Sequence, residues 1–336
     1  MSTAFERRLA DANSALRELR TVRDLLRWAT SRFAAADLAY GHGTGNAWDE
    51  AVALLLWSLH LPPEPLEPWL DARLTRGERR AAVELFERRI ASRLPAAYLT
   101  GEAWLRGMSF ACDARALVPR SPIAEALDEA LPQWLELHPR GPSWPASILD
   151  LCTGAGSLAI LAADRFPDAQ VVGADLSSDA LALAAVNRDR HGLQQRVELV
   201  QGDLFAPLRT RRFDLMLCNP PYVNDASMLA LPPEFRAEPR AALAGGRDGM
   251  DLVRRLLADA PAHLRDDGLL LLEIGHEAAH FETAFPSLEF HYLPVAAGER
   301  MLVLVEAAQL AVAARRARAR RPASRTAATR PGARRP

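Results

Sequence analysis

One stretch predicts the fold of this chain more clearly than any other: Phe213-Asp214-Leu215-Met216-Leu217-Cys218-Asn219-Pro220-Pro221-Tyr222. Its first six residues have the length and apolar character of a buried strand. Two prolines end the strand, because proline cannot donate to a sheet ladder and restricts the residue before it. In open α/β sheets ligands bind at the carboxyl ends of strands. We therefore expect the Asn219 side chain and the Asn219 and Pro220 carbonyls to be rigid acceptors there. Beside the Tyr222 ring they suit a planar NH2 group, although the tetrapeptide alone also fits a simple strand-to-loop turn.

A second strand end carries the sequence Asp150-Leu151-Cys152-Thr153-Gly154-Ala155-Gly156-Ser157. Gly154 and Gly156 allow a sharp bend and a close approach of the backbone to a ligand, ahead of a helix amino terminus. The spacing satisfies the dinucleotide fingerprint, and Asp175 lies about 20 residues further on, where a carboxylate binds ribose hydroxyls. This motif fits a nicotinamide cofactor and S-adenosylmethionine equally well.

Three features favour S-adenosylmethionine. Asp150 stands where the ammonium of a methionine moiety would be met, whereas a pyrophosphate would gain nothing from an acid. Asp203 follows the third strand and can accept a hydrogen bond from the adenine amino group. Asn219 and its neighbours reach the place where the methyl group would point. Helix capping and turn formation are the alternative explanation for Asp150, Asp175 and Asp203.

The order of elements predicts an α/β fold. From Ser147 to Val305 strands and helices alternate, which indicates a largely parallel, Rossmann-like sheet of seven strands. The last two strands, 289–293 and 301–305, are too close for a crossover helix and should be antiparallel. Residues 5–40, 51–59 and 76–92 have helical apolar spacing. We predict an N-terminal helical substrate-recognition domain (1–104), a β-hairpin and helix linker (105–146), a catalytic domain (147–308) and an Arg-rich disordered tail (309–336).

Composition indicates an ordinary globular protein, with 49% hydrophobic and 25% charged residues among 336. All 41 cationic side chains are Arg, which excludes chemistry based on Lys. Nine of them lie in residues 311–336 without an acid, so the remainder of the chain is acidic. We expect this tail to make weak contact with RNA.

Cysteine usage and hydropathy indicate a reducing, cytoplasmic location. Cys112, Cys152 and Cys218 have no spacing typical of zinc and an odd count for disulfides. We expect no metal site, no signal peptide at Met1 and no membrane span. His42 lies in a glycine-rich segment, where a turn with a local hydrogen bond is favoured over a metal ligand or a nucleophile.

With these residues established, the chain resembles the seven-stranded S-adenosylmethionine-dependent methyltransferases, and its Asn-Pro-Pro-Tyr motif resembles those that methylate planar nitrogen. The stretches 93–101 and 117–120 are similar to the linker signature of the protein-glutamine N5-methyltransferases. Residues 121–125 read Ser-Pro-Ile-Ala-Glu, similar to the branch that modifies large-subunit ribosomal protein three. The release-factor branch usually has Pro-Glu/Asp-Thr-Glu there. Stretches 40–50 and 234–239 also look like the former branch. The resemblance covers about residues 25–306 and gives the tail no role.

The resemblance implies roles for individual residues. The residues implied to hold S-adenosylmethionine are Cys152, Thr153, Gly154, Ala155, Gly156 and Asp175, with Asp203 and Leu204 beside the adenine. Those implied to hold the glutamine amide of ribosomal protein three are Asn219, Pro220, Pro221 and Tyr222. Asn219 and the Pro220 carbonyl would orient the NH2 group for in-line displacement, without a general base. We expect Asp225 and Glu234 to lie in a solvated loop.

Other functions remain open at this point. An N6-adenine methyltransferase would need a basic face for nucleic acid, which the acidic body argues against and the Arg-rich tail argues mildly for. A release-factor glutamine methyltransferase, a dinucleotide-dependent oxidoreductase and a non-catalytic binding module are the further alternatives.

Overall fold

A computed structural model describes residues 12–62, 64–136, 138–141 and 144–319 of the chain. Predictions for residues 1–11 and 320–336 lie outside the described residues. The described part consists of N-terminal helices, a short hairpin and a seven-stranded sheet covered by helices on both faces.

The N-terminal helices pack around one apolar cluster that includes Phe33 and Phe86. Thr21 caps the first helix by accepting from Asp24 N, while Asp24 accepts from Thr21 N, and Thr75 and Glu78 form the same reciprocal cap. The predicted run 5–40 is therefore interrupted at this cap, after a helical segment over residues 12–18. The helices are α1 (Val22–Ala35), α2 (Ala47–Ser58), α3 (Arg76–Ser92) and the short α4 (Ala96–Thr100).

A two-stranded antiparallel hairpin follows as predicted, but it begins at residue 102, inside the range predicted for the N-terminal domain. It consists of β1 (Glu102–Leu105) and β2 (Met108–Ala111), and it leads through an irregular stretch into α5 (Ile123–Asp128) and α6 (Ala130–Glu136).

The main sheet confirms the predicted seven strands. The strands are β3 (Ser147–Leu151), β4 (Gln170–Asp175), β5 (Val197–Gln201), β6 (Phe213–Cys218), β7 (Leu264–Glu273), β8 (His291–Val295) and β9 (Gly298–Glu306). Their spatial order is β5-β4-β3-β6-β7-β9-β8. Strands β3 to β7 pair in parallel, and β9 is antiparallel to both of its neighbours, β7 and β8, so the predicted antiparallel pairing of the last two strands is confirmed.

Helices cover both faces of this sheet and bury two apolar clusters, one on each side. Strand β6 is buried along its whole length, in agreement with its apolar sequence. The helices between the strands are α7 (Ser157–Arg165), α8 (Ser178–Arg190), α9 (Asp225–Ala230), α10 (Pro233–Arg236), α11 (Asp251–His263) and α12 (Ala278–Ala284).

The prediction of disorder from residue 309 is wrong for its first part. A final helix, α13 (Ala307–Ala319), follows β9 directly. Leu310 is buried in the apolar cluster that contains β7 and α11 residues, and this anchor orders the start of the Arg-rich segment. In the described ranges, no helix is long and apolar enough to cross a membrane.

Candidate active site

The two strand ends that the sequence singles out lie side by side. Leu151 of β3 pairs in register with Cys218 of β6. From β3 the chain adds β4 and β5 on one side and then returns to place β6 on the other. Such a reversal of strand order opens a crevice at the carboxyl ends of the strands, where α/β proteins bind ligands.

A cleft of about 500 Å³ lies at this position. Its wall combines predicted cofactor residues with residues of the Asn-Pro-Pro-Tyr motif: Cys152, Thr153, Gly154, Ala155, Asp175, Asp203, Leu204, Asn219 and Pro221. Four predicted site residues are not part of this wall: Asp150, Gly156, Pro220 and Tyr222.

The turn after β3 has the backbone that its glycines allow. Gly154 and Gly156 have φ angles of +56° and +80°. A Cβ atom at Gly156 would lie 3.0 Å from the Ala184 Cβ of helix α8, so only glycine lets the two segments pack so closely. Cys152, at the start of the turn, also has a positive φ of 58°.

Asp175 at the end of β4 supports the same turn. One carboxylate oxygen accepts from Gly154 N at 2.9 Å, and the other accepts from Ser177 N at 2.8 Å. Each oxygen retains a lone pair, so the carboxylate can still bind hydroxyl groups in the cleft.

Asp150 is completely buried beneath the turn. Its Oδ2 accepts from the Thr153 hydroxyl at 2.5 Å and from Ala159 N at 3.0 Å. Its Oδ1 has no hydrogen-bond partner among the described residues. Burial raises the pKa of Asp150 to about 7 despite these two donors.

Asp203 and Leu204 follow β5. The Asp203 carboxylate forms an exposed ion pair with Arg255 at 2.6 Å, while Leu204 is buried with a φ of +49°. Asp203 also borders a second groove of about 650 Å³, lined among others by Arg209 and Arg315.

The Asn-Pro-Pro-Tyr residues divide into two groups. Asn219 and Pro221 face the cleft, and none of the hydrogen bonds found among the described residues involves the Asn219 side chain. Pro220 is buried. The Tyr222 hydroxyl donates to Glu273 Oε1 at 2.7 Å, and burial raises the Tyr222 pKa well above its usual value.

Sequence reasoning missed the role of Glu238 behind this motif. Its buried carboxylate accepts hydrogen bonds from both terminal nitrogens of Arg120 at 2.6 Å and from Val118 N at 3.0 Å. It also lies 3.3 Å from His42 Nε2. Burial alone would raise its pKa, but hydrogen bonds with His42 and Arg120 lower it to about 2. His42 therefore has a partner 196 residues away rather than a local one.

The expectation of a solvated loop is wrong for Glu234, and Asp225 is exposed as expected but begins helix α9. Glu234 is fully buried and pairs with Arg89 at 3.3 Å and with Arg93 at 2.8 Å. Arg89 also donates to Glu50 at 2.6 Å. These charges join the segment after β6 to the N-terminal helices. The partners of Glu234 are more than 140 residues away in sequence, so no local pattern indicates that this residue is buried.

The sheet order and the cleft at its switch point define an α/β methyltransferase of the Rossmann-like class. Residues 135–247 match the family model described as "Methyltransferase small domain".

Three curated relatives align with this chain over nearly their whole lengths, and each is named "Ribosomal protein uL3 glutamine methyltransferase". The relative from Bordetella pertussis is 56% identical over 89% of this chain and 99% of its own. The relative from Burkholderia pseudomallei is 52% identical over 87% and 96%, and that from Xanthomonas campestris is 46% identical over 88% and 94%. The chain therefore belongs to the family of ribosomal protein uL3 glutamine methyltransferases, and the resemblance inferred from the sequence is confirmed.

Proposed function

We propose that this protein transfers a methyl group from S-adenosylmethionine to the side-chain amide nitrogen of a glutamine in ribosomal protein uL3. The observation that carries this proposal is the position of Asn219, which faces the same cleft as the glycine turn after β3. The names of the relatives supply the substrate.

The residues of the cleft, together with Asp150 and Gly156 just behind its wall, fit S-adenosylmethionine. The buried Asp150 Oδ1, which lacks a donor among the described residues, suits an ammonium group beneath the turn. Asp175 is available to ribose hydroxyls, and Asp203 and Leu204 to the adenine edge. Cys152, Thr153, Gly154, Ala155 and Gly156 would shape the backbone of this site. When bound, the cofactor supplies an electrophilic methyl group on a sulfonium.

The acceptor residues would hold the amide. The lone pair of an amide nitrogen is delocalised into its carbonyl, which makes the nitrogen a poor nucleophile. The Asn219 side-chain oxygen and the Pro220 carbonyl would accept the two NH2 hydrogens and turn the lone pair toward the cofactor part of the cleft. Pro221 and Tyr222 would keep this turn rigid, and fixed geometry provides much of the rate of such reactions.

The remaining parts of the chain also take proposed roles. We propose that residues 1–104 recognise the substrate protein, that 105–146 link the two domains and that 147–308 perform the chemistry. The Arg residues of the tail would add weak, salt-sensitive contact with RNA. A ribosomal protein substrate fits a reaction in the cytoplasm.

Mass spectrometry of purified uL3 after incubation with the protein and S-adenosylmethionine tests the proposal. We expect one added methyl group on a single glutamine, and none on a uL3 variant with Glu at that position. Methylation of adenine in nucleic acid, with uL3 unchanged, would favour the N6-adenine alternative and reject the proposal.

A further inference from the structure

A buried acid at the end of β7 binds two segments of the cleft wall. Glu273 is 3% exposed. Its Oε1 accepts from the Tyr222 hydroxyl at 2.7 Å, and its Oε2 accepts from the Ser121 hydroxyl at 2.5 Å. The sequence around it, Leu269-Leu270-Leu271-Leu272, predicts only a buried strand.

The two partners belong to different parts of the site. Ser121 ends the stretch 117–121, all of which lines the cleft. Tyr222 ends the motif whose Asn219 and Pro221 line the same cleft. One carboxylate therefore connects the linker before the catalytic sheet with the acceptor motif after β6, although the two hydroxyls lie about a hundred residues apart in sequence.

The surrounding structure restricts the Tyr222 ring as well. Gly275 has a φ of +52°, and a Cβ atom there would lie only 2.4 Å from Tyr222 Cε2. The ring thus packs directly on the backbone just after Glu273. Arg120, next to Ser121, is held in turn by Glu238.

Burial by itself disfavours an acid at this position. Burial desolvates the carboxyl group and raises the pKa of Glu273. Moving a charge out of water into the protein interior costs stability unless several hydrogen-bond donors compensate. The two hydroxyls compensate in part. An apolar residue would fit the strand but would leave both hydroxyls without this acceptor.

We propose that Glu273 is a positioning residue for methyl transfer. This inference rests on the proposed function, and it explains why the acceptor motif Asn219 to Tyr222 is rigid. The Glu273 carboxylate holds Ser121 and Tyr222 at a fixed separation, and thereby holds the Asn219 and Pro220 acceptors in register with the cofactor part of the cleft. Glu273 itself does not touch the amide.

The expected effect follows from the sensitivity of such reactions to geometry. A displacement of reacting groups by about 1 Å can cost ~10²-fold in rate. Tyr222→Phe removes one oxygen and keeps the ring, and Glu273→Gln keeps the shape and removes the charge. We expect each variant to lower kcat by about 10- to 100-fold, with the dissociation constant of S-adenosylmethionine changed less than about threefold.

The chain provides a matched control in a second tyrosine–glutamate pair. The Tyr292 hydroxyl donates to Glu282 at 2.9 Å on edge strand β8, and neither residue lines the cleft. Tyr292→Phe should therefore keep the kcat of the unaltered protein.

The decisive experiment is a double-mutant cycle with Tyr222→Phe and Glu273→Gln. The readouts are kcat and KM on purified uL3, cofactor binding by calorimetry and the midpoint of thermal unfolding. If Glu273 acts through Tyr222, the kcat of the double variant should be no lower than that of the more impaired single variant. This coupling would appear in kcat, whereas a merely structural role would appear in the unfolding midpoint.

Two outcomes would overturn the inference: single variants that retain kcat within threefold, or losses that multiply in the double variant. If Glu273→Gln does not fold, the kcat of Tyr222→Phe compared with that of the control Tyr292→Phe still tests the inference. An unchanged kcat in Tyr222→Phe would reject the positioning role of Glu273. Unaltered protein that leaves uL3 unmethylated would reject the proposed function instead.

Discussion

Glu234 and Arg89 are 145 residues apart in sequence and form an ion pair in which neither side chain is exposed. Glu234 belongs to the segment that follows the Asn-Pro-Pro-Tyr motif, and Arg89 to helix α3 of the N-terminal bundle. Arg93 and Glu50 extend this network at 2.8 and 2.6 Å. The N-terminal helices are therefore bound directly to the segment beside the acceptor motif.

Removing one member of this network should strongly destabilise the protein. Glu234→Ala leaves Arg89 and Arg93 buried or half-buried without one of their acceptors, which typically costs about 3–5 kcal/mol. We expect this loss in the free energy of unfolding measured by urea denaturation. Asp225→Ala, in the exposed first turn of α9, is the control and should cost no more than about 1 kcal/mol. Equal effects of the two variants would contradict the importance of the network.

How much could be predicted from the sequence depends on the distance between partners. The places of Asp150, Asp175 and Asn219 at strand ends are predictable, because each lies within one residue of the end of a strand whose apolar pattern is local. Their convergence follows from the rule that parallel strands present their carboxyl ends at one edge.

The residues behind the cleft were not predictable in this way. Glu238 accepts from Arg120, 118 residues away, and Glu273 accepts from Ser121 and Tyr222, 152 and 51 residues away. Nothing in the sequence next to these acids distinguishes them from solvated or capping acids. Helix α13 was missed for a similar reason, since Leu310 is ordered by packing on the sheet and not by its Ala- and Arg-rich surroundings.

Asp175→Ala should weaken the binding of S-adenosylmethionine. Hydrogen bonds to a charged group contribute about 1.5–3 kcal/mol, so the dissociation constant should rise by roughly 10- to 150-fold in isothermal titration. Asp179→Ala, in the first turn of α8, serves as a control for loss of nearby charge. Because Asp175 also accepts from Gly154 N, thermal unfolding of the variant should be measured in parallel. An unchanged affinity would remove Asp175 from the site.

Asp150 should make cofactor binding depend on pH. Its pKa of about 7 means that the ionised form, which attracts an ammonium group, increases about fivefold between pH 6 and pH 7. The affinity for S-adenosylmethionine should rise accordingly in this range, and Asp150→Asn should bind weakly with a flat profile.

Linkage predicts the opposite trend for the stability of the ligand-free protein. The folded protein binds a proton at Asp150 more tightly than the unfolded chain does, because its pKa is raised to about 7. The stability that comes from this difference is fully present below the pKa of the unfolded chain, near 4, and is lost as the pH rises through about 7. A flat affinity profile for the unaltered protein would contradict the assignment of Asp150 to the ammonium.

The tail should be dispensable for chemistry but should contribute to RNA contact. Truncation after Ala319 keeps helix α13, whose Leu310 is buried, and removes six Arg. We expect unchanged turnover on RNA-free uL3 and a weaker salt dependence of binding to single-stranded RNA, with the logarithmic slope reduced by at most about 4. A full-length variant with these Arg replaced by Gln controls for chain length. A large loss of turnover on the RNA-free substrate would refute this role.

The most direct test of the acceptor site is Asn219. Asn219→Ala should lose about 10²–10³ in kcat, as is typical when one positioned hydrogen-bond partner is removed from a reacting centre. The dissociation constant of S-adenosylmethionine should stay unchanged, because the side chain serves the acceptor. Calorimetry and single-turnover kinetics separate the two effects. A variant that loses cofactor binding instead would move Asn219 to the cofactor site.

Asn219→Asp discriminates further, because it keeps an acceptor oxygen and adds a negative charge. The carboxylate attracts the sulfonium before transfer, and this attraction fades as the methyl group leaves, so the variant should bind cofactor at least as tightly and turn over more slowly. The substrate comparison uses uL3 with its target glutamine and uL3 with Glu in that position. Only the amide has two N–H hydrogens for Asn219 and the Pro220 carbonyl to accept, so the Glu version should remain unmodified. Equal rates on both substrates would show that Asn219 does not recognise an amide, and the assignment of glutamine as the acceptor would have to be abandoned.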